Sequence, residues 1–446
     1  MSNPSGVQRP TPSRMALPVI LLTVFIIPTG IAGIANALPD IAGDLGSNPT
    51  GLQWVVNGFN GSFAVFTLVW GVLSDRIGYK TTFVAGTALM VAASVVSAVA
   101  PNLLVLDFAR IVAGAAGAAI FTAAASIIAN AYEPVPRGRN FALLGTVLGL
   151  GLAVGPTLAG GLVTAFGWRG VFAVFAVIVA IALSASAFVP DIRHERIPGA
   201  KLVDFSLLRN PHFLAICLVP VTQAFGFVAL LTYLPIALSA VHGIDAGPAG
   251  LLMLPLTAPV LFGPLIGARL VARFERVSIM TVIYSSLILM VLGNVGFLLL
   301  GSAPVSALIV PMLLLGFAFG LPLGLLDGAA QAAVPVRSSG TAAGVMNFLR
   351  LGSEAVVVGS YAAAVAALVA ARIPDLQTAH EVAAGRPGHA AVYSGAFASA
   401  EWGIIAAVVA GGVAILFLHL ATIRKTVAAA SGGLDASLTF EGTTPA

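Results

Sequence analysis

Charged side chains are scarce in this 446-residue sequence. Asp, Glu, Lys and Arg make up 9% of it, whereas hydrophobic residues make up 59%. Soluble domains carry about 25% charged residues, so a chain of soluble domains is excluded. The hydrophobic residues fall in runs close to the roughly 20 residues that a helix needs to cross a bilayer. We therefore expect an integral membrane protein surrounded by lipid.

Cysteine is nearly absent as well. Cys217 is the only one and lies within an apolar run, where we expect a small buried side chain. A single cysteine excludes a disulfide framework and a cysteine-based metal site, and we expect no metal and no cofactor. The net charge of +4 is dispersed over short loops, so nucleic acid is not an expected partner. No small-residue cleavage site follows the first apolar run, which we expect to remain as a spanning helix.

Twelve apolar runs predict twelve transmembrane helices and an all-α membrane fold. They cover residues 15–37, 51–73, 82–100, 103–131, 139–164, 168–189, 212–238, 248–270, 277–300, 304–332, 341–370 and 397–420. The longest charged stretch separates the sixth run from the seventh, and we expect it to be a solvated linker. The predicted parts are a six-helix bundle at 1–190, a cytoplasmic linker at 191–210, a second bundle at 211–422 and a cytoplasmic tail at 423–446.

The basic residues predict the orientation. With the N-terminus inside, sixteen of the 21 Lys and Arg residues fall in cytoplasmic segments and three in outer ones. Cytoplasmic loops of membrane proteins carry this excess of positive charge. We expect both termini in the cytoplasm.

The stretch "GVLSDRIGYK" at residues 71–80 occupies the predicted turn between the second and third spans. Turn glycines and positive anchors would explain Gly71, Arg76, Gly78 and Lys80. They do not explain Asp75, which neutralises those anchors. The stretch resembles the signature loop of the major facilitator superfamily. That resemblance implies two pseudo-symmetric six-helix bundles.

The resemblance also implies a role for Asp75. This residue would contact basic groups and a helix N-terminus of the other half, closing the cytoplasmic side in the outward-facing state. A carboxylate is favoured at a helix N-terminus. The corresponding loop of the second half, "GARLVARFER" at 267–276, keeps the basic residues and has no matching acid.

Further stretches resemble the drug and metabolite:proton antiporters of the superfamily. They are "NALP" at 36–39, "LQWVVNGF" at 52–59, "LTYLPIALSAVHGIDAGPAGLLMLP" at 231–255 and "GVMNFLRLGS" at 344–353. The fifth span contains "LGLGLAVGPTLAGG" at 148–161, which resembles the antiporter motif of exporters. Its candidate residues are Gly151, Gly155, Pro156 and Gly160. Ordinary small-residue packing between helices is the alternative explanation.

Five of the ionisable residues within spans are candidates for function, because charges there are costly and commonly functional. Arg110 lies one helical turn from Asp107. The two either neutralise each other or line a cavity for coupling or substrate binding. Arg350 and Glu354 lie on one helix face, and Asp327 enters the bilayer from the same side. These three are proton-coupling candidates because an adjacent arginine changes how readily a buried acid ionises. A static ion pair is the alternative.

Other polar residues are weaker candidates. Glu401 lies at the edge of the last predicted span, where we expect an interfacial anchor. The candidates for lining a substrate cavity are Gln53, Asn57, Phe59, Phe121, Gln223, Phe225, Tyr233 and Asn347. For each of them, packing inside the protein is the alternative to a cavity role.

One position departs from the resemblance. Many such antiporters carry an acid about five residues before the Asn of "NALP", and Ile31 stands there. Proton coupling therefore needs another acid, and strongly cationic substrates are disfavoured. We expect a monomeric exporter of a small organic molecule in the cytoplasmic (inner) membrane, driven by proton antiport. An uncoupled facilitator and a proton-coupled importer remain alternatives. No catalytic motif points to an enzyme.

Overall fold

The computed structural model describes residues 12–46, 49–192, 207, 209–244, 251–335 and 338–438. Every regular element among them is helical. Most of the predicted linker at 191–210 lies outside the described residues, as do residues 1–11 and 439–446.

The first half contains six long helices. They are α1 at Ala16–Gly33, α2 at Pro49–Ile77, α3 at Tyr79–Ala98 and α4 at Leu103–Ala131, followed by a helical run at Pro134–Ser184. Gly167 interrupts that run with φ 69° and ψ 175°, which no α-helix contains. It divides the run into α5 (134–166) and α6 (168–184). A short helix, Leu38–Leu45, lies between α1 and α2.

The second half also contains six. They are α7 at Pro211–His242, α8 at Leu254–Arg273, α9 at Ile279–Phe297, α10 at Val305–Ala332, α11 at Ser339–Ala370 and α12 at Ala390–Leu438. A π-helical turn at Ala224–Val228 lies within α7. Between Gly320 and Leu325 α10 is not regular, and Gly324 has φ 71°. A short helix, Leu376–Ala383, precedes α12.

The predicted spans agree with these helices within several residues. By length and composition, ten segments of the described chain could cross a membrane, and Ala16–Ile31 is a shorter apolar helix. The division at Gly167 matches the predicted break between the fifth and sixth spans. Two boundaries differ. α12 begins at Ala390 rather than at 397, and it continues to Leu438 through much of the predicted tail.

Polar side chains fix several helix starts. Asn102 accepts a hydrogen bond from the Val105 N–H at 3.0 Å and so caps α4. Asn210 caps α7 in the same way, and Ser278 forms a capping box at the start of α9. Such caps satisfy backbone N–H groups that have no partner within the helix. These starts therefore lie where a polar loop gives way to an apolar run.

Helix packing repeats between the halves. In the first half α2 packs on α4, α3 on α4, and α1 on the run containing α5 and α6. In the second half α8 packs on α10, α9 on α10, and α7 on α11. The two halves meet mainly through two helix pairs, α2 with α11 and α5 with α8. These pairs occupy equivalent places in the two halves, as expected for an internal repeat.

Candidate functional site

Asp75 joins the two halves. It lies at the end of α2, and its carboxylate accepts hydrogen bonds at the N-terminus of α11. The Gly340 N–H is 2.8 Å from Oδ1, and the Thr341 N–H is 2.9 Å from Oδ2. The Thr341 hydroxyl is 2.8 Å from Oδ2, and Tyr79 donates to Oδ1 at 3.0 Å. A helix N-terminus carries partial positive charge and free N–H donors, so the carboxylate stabilises this contact.

The other residues of the signature stretch have different roles in the fold. Gly78 has φ 94°, which favours glycine, and it makes the turn between α2 and α3. Lys80 donates to the Ala187 carbonyl at 3.1 Å and so contacts the end of the first bundle. Arg76 is exposed. The expected helix N-terminus is therefore present beside Asp75, whereas its ion pair with a basic group is not seen among the described residues.

Gly71 lets α2 and α11 approach closely. A Cβ atom on Gly71 would lie 2.7 Å from the Gly340 carbonyl oxygen, and one on Gly344 would collide with the Thr67 carbonyl. Neither collision could be relieved by a side-chain movement, because the atoms in the way belong to the backbone. The approach of the two helices therefore requires residues without a Cβ.

The halves are packed together at the end that carries Asp75. We call it the Asp75 end, and the opposite end, beyond the start of α2, the Asp44 end. From Ser339 to Gly344 every residue of α11 is buried, and Ala343 belongs to the core of the first half. Towards the Asp44 end only one face of α11 stays buried, whereas Val356 is 67% exposed. The structure is thus closed between the halves at the Asp75 end.

The polar face of α2 is exposed near the Asp44 end. Gln53, Asn57 and Gly61 are spaced four residues apart and are all exposed. Residues at this spacing share one face of a helix. An exposed polar face on a membrane helix indicates contact with water rather than lipid.

The glycines of α5 contact two different neighbours. Gly151 packs on Pro28 and Gly155 on Gly33, both in α1, whereas Gly149 packs on Val260 of α8 in the other half. Gly160 accepts a hydrogen bond from Thr164 at 2.9 Å, and the Pro156 side chain lies outside the described residues.

Asp327 and Arg350 form a buried ion pair. The Arg350 Nη2 atom is 3.1 Å from Asp327 Oδ1. The Arg350 side chain is 10% exposed and that of Asp327 is 4% exposed. Arg350 Nη1 also lies 3.5 Å from Asn347 Oδ1. Asp327 is in the first turn of the helix Leu325–Ala332, which follows the break in α10. That position adds a favourable helix dipole to the attraction of the arginine.

Glu354 is not the partner of Arg350 in this conformation. It is half-buried one turn along α11 and makes no hydrogen bond or ion pair within the described part of the chain. The second carboxylate oxygen of Asp327 is buried without a hydrogen-bond partner. The cluster thus holds one arginine, one paired acid and one acid within a helical turn of that arginine.

Arg110 and Asp107 do not pair, which corrects one of the two expectations for them. Arg110 is buried, and its Nε donates to the Val55 carbonyl at 2.9 Å. Its guanidinium lies 4.5 Å from the centre of the Phe59 ring. Asp107 instead borders an apolar groove between α2 and α4 that includes Trp54. Backbone carbonyls and aromatic rings therefore stabilise this buried cation.

Several candidates for lining a cavity are packed within one half. Phe59 and Phe121 are buried in the first bundle, and Gln223 donates to the Ala318 carbonyl at 3.1 Å. In this conformation these three residues are packed, as the packing alternative describes. Asn347 is buried beside Arg350. Phe225 and Tyr233 are half-buried, and Gln53 and Asn57 are exposed.

Comparison with known proteins settles the family. Residues 20–357 match the Major Facilitator Superfamily. The chain belongs to this superfamily. The human organic anion transporter MFSD10 has a similar fold, with a TM-score of 0.67 at 17% identity, covering 90% of this chain and all of that one. The expected fold class is confirmed.

Curated relatives of this superfamily member include bacterial resistance and export proteins. A probable actinorhodin transporter of Streptomyces coelicolor is 29% identical over 70% of this chain and 65% of its own length. A methylenomycin A resistance protein of Bacillus subtilis is 25% identical over 63% and 73%. A tetracenomycin C resistance and export protein of Streptomyces glaucescens is 26% identical over 60% of each chain. The chain thus spans less than two thirds of the first of these.

Two acidic residues of this superfamily member, Glu401 and Asp44, make contacts that the sequence did not predict. Glu401 is fully buried rather than interfacial, because α12 begins earlier than predicted, and Tyr361 donates to it at 3.3 Å. Asp44 accepts hydrogen bonds from Trp168 Nε1 at 2.9 Å and from Arg169 at 2.6 Å. Both hydrogen bonds lower the pKa of Asp44, and the one from Trp168 has the larger effect. Both contacts join distant segments, so local sequence patterns gave no signal for them.

Proposed function

We propose that this chain exports small organic molecules across the cytoplasmic membrane by alternating access, driven by protons moving inward. The observation that carries the proposal is the contact of Asp75 with the N-terminus of α11. It joins the two halves at one end, while the polar face of α2 is exposed at the other. A transporter that alternates between two openings needs a contact of this kind that can be made and broken.

The orientation follows from charge. α8 ends with Arg273 at the Asp75 end, and the loop that leads to α9 contains Arg276. Basic loops favour the cytoplasm. On this assignment the structure is the outward-facing conformation. A cysteine at exposed Pro387 should react with an impermeant maleimide from outside the cell. One at Glu275 should react only after permeabilisation, and the reverse pattern would contradict the assignment.

The proton-coupling acids are assigned to the cluster around Arg350. Arg350 binds Asp327 here, while Glu354 lies half-buried on the same face of α11. When Glu354 is ionised, it competes with Asp327 for the arginine. When it is protonated, the pair with Asp327 is restored. Gain and loss of one proton thus change the charge pairing within a helical turn.

The substrate class is inferred from the relatives and from the first helix. The relatives named above transport or confer resistance to actinorhodin, methylenomycin A and tetracenomycin C. No acid lies in α1, which contains Ile31 where many antiporters have one. We expect neutral or anionic antibiotics of this kind to be carried in preference to permanent cations.

Inside-out vesicles test the function. Actinorhodin, tetracenomycin C, methylenomycin A and ethidium are supplied as probes, with a respiratory pH gradient that nigericin collapses. We expect at least one antibiotic to accumulate until nigericin is added and ethidium to stay out. Vesicles with Asp75→Asn should not accumulate it, whereas Asp375→Asn, which removes a helix-capping carboxylate within one half, should behave as wild type.

The other outcomes separate the alternatives. Equilibration of a probe without accumulation, unchanged by nigericin, would indicate an uncoupled facilitator. Gradient-driven accumulation only in right-side-out vesicles would indicate an importer. If none of the antibiotics moves in either vesicle type, the proposed substrate class is wrong.

A further inference from the structure

Glu401 is a buried acid that the coupling cluster does not use. It lies in α12 with no exposed surface. The Tyr361 hydroxyl is 3.3 Å from its Oε1, and its Oε2 is buried without a hydrogen-bond partner. A buried polar atom of this kind requires an explanation.

A tyrosine, Tyr361, contacts Glu401, and two further tyrosines lie near Tyr361. Tyr361 comes from α11, and its ring centre lies 5.1 Å from that of Tyr233 on α7. Tyr393 is two turns earlier in α12 and is also buried. Aromatic Phe397 packs against Tyr361 at 6.5 Å between ring centres. The immediate surroundings therefore supply hydroxyl groups and aromatic rings.

No cation pairs with Glu401 in the described part of the chain. Arg350 is the basic residue of α11, and it lies eleven positions before Tyr361, about 16 Å along the helix axis. The titratable residue of α9 is Tyr284, which packs on His419. His242 of α7 contacts the Leu300 carbonyl. On the short helix before α12, Glu381 pairs with Arg386.

Burial without a cation decides the charge of Glu401 in this conformation. An ionised carboxylate that is buried away from water and from positive charge is strongly disfavoured. A protonated carboxyl group avoids this cost and can still accept the hydrogen bond from Tyr361. The remaining O–H is the donor that lacks an acceptor here.

Tyr361 contacts both Glu401 and Tyr233. Tyr233 is half-buried, and its hydroxyl donates to the Val358 carbonyl of α11 at 3.2 Å. It follows the π-helical turn of α7, and Pro235 lies two residues further on. Such turns and prolines are places where helices bend. Bending there would move Tyr233 away from Tyr361 and admit water between them.

We propose that Glu401 is a second proton-binding site of the transport cycle, separate from Asp327 and Glu354. It holds a proton while the halves are closed at the Asp75 end. In the opposite conformation, the carboxyl O–H bond breaks and the proton passes to water that has entered between Tyr233 and Tyr361. The carboxylate that remains accepts a hydrogen bond from Tyr361. The direction of proton movement rests on the proposed function, whereas the site itself does not.

Infrared spectroscopy of purified protein in nanodiscs tests the protonation. Wild type at neutral pH should show a carbonyl band of a buried protonated carboxyl group that is absent from Glu401→Gln. Glutamine keeps the shape and accepts the bond from Tyr361, so the fold should be retained. Tyr361→Phe should shift the band, and Glu381→Gln should leave it unchanged. A spectrum identical for wild type and Glu401→Gln would overturn the proposal.

A second measurement tests release of the proton. Spin labels at exposed Arg76 and Glu275 report the distance between the halves at the Asp75 end. Acid should favour the closed arrangement in wild type, by up to about tenfold in population per pH unit for each linked proton. Glu401→Gln should lose one such tenfold dependence and stay closed at higher pH. A full pH response in Glu401→Gln would contradict release from this site.

These readouts require no transported substrate. If all antibiotics fail in vesicles while both readouts behave as expected, the proton site stands and the export proposal falls. If export is driven by protons and Glu401→Gln changes neither readout, the export proposal stands and the proton site falls.

Discussion

Thr341 gives Asp75 two hydrogen bonds to the same carboxylate oxygen, one from its backbone N–H at 2.9 Å and one from its hydroxyl at 2.8 Å. The two residues are 266 positions apart in the chain and belong to different halves. The contact therefore exists only when the halves are closed at the Asp75 end. In the proposed alternating-access mechanism, its free energy contributes to the balance between the two conformations.

Asp75→Asn should weaken that closed conformation. Hydrogen bonds to a charged group contribute about 1.5–3 kcal/mol, and asparagine presents an N–H₂ group to at least one of the donors. We expect roughly a ten- to hundredfold shift towards the conformation open at the Asp75 end. Maleimide labelling of a cysteine introduced at Thr67 measures this shift.

The matched control for Asp75→Asn is Asp375→Asn. Asp375 also caps a helix through a backbone N–H and a threonine hydroxyl, both from Thr378. Its helix lies within one half, so labelling at Thr67 should stay at the wild-type level. Wild-type labelling in Asp75→Asn would show that the carboxylate is not the closing contact.

Gly71→Ala should also open the Asp75 end. Its Cβ would lie 2.7 Å from the Gly340 carbonyl oxygen, so α2 and α11 must separate. Transport in the vesicle assay should fall at least severalfold with normal expression. Gly352→Ala on α11 is the control, because a Cβ there meets nothing within 4 Å. Equal loss in both variants would argue against close helix approach as the cause.

The contact between α1 and α5 should be needed for export. A Cβ on Gly33 would lie 2.6 Å from the Ala159 Cβ and 2.7 Å from the Gly155 carbonyl oxygen. We expect Gly33→Ala and Gly155→Leu to lower export of an antibiotic probe. Gly161→Ala, where a Cβ has open space, should export normally. If Gly33→Ala and Gly155→Leu both export the probe at the wild-type rate, the glycine motif is not needed for export.

Asp327→Asn should uncouple transport from the pH gradient. It leaves Arg350 buried without its counter-ion, which costs about 3–5 kcal/mol, so lower thermal stability is expected as well. The double variant Asp327→Asn with Arg350→Gln removes both charges and should recover much of that stability. Gradient-driven accumulation should remain absent from the double variant, while exchange of labelled for unlabelled substrate continues.

Glu354→Gln distinguishes coupling from structure in the same cluster. It removes no ion pair of this conformation, so stability should stay close to wild type while the pH dependence of transport changes. If Glu354→Gln and the double variant both keep transport that responds to the gradient, the cluster is a structural ion pair.

The hydrogen bonds of Asp44 should make the thermal stability of the protein depend on pH. Hydrogen bonds from Trp168 and then Arg169 lower its pKa. Because the pKa of Asp44 is lower in the folded protein, its ionised carboxylate stabilises the fold at pH values above the pKa of the unfolded state. This stabilisation is lost as the pH falls through the pKa of the folded state. Wild type should therefore unfold at a higher temperature than Asp44→Asn at neutral pH. The difference should vanish in strong acid.

The positions of the helices could be predicted from the sequence. Apolar runs of bilayer length gave the helices, and Gly167 separates α5 from α6 where the runs predicted a break. Asp75 was singled out because a carboxylate among positive anchors has no local explanation. Each of these features depends on residues within one helix or one turn, so the sequence contains the physical cause.

Contacts between helices were decided by the tertiary structure. Spacing along α11 places Arg350 beside Glu354, yet the rotation of α10 and its break at Gly324 bring Asp327 to the arginine instead. The start of α12 decides that Glu401 is buried. Helical periodicity fixes which residues share a face, but not which helix that face meets, because the rotation and tilt of each helix are set by packing against all its neighbours.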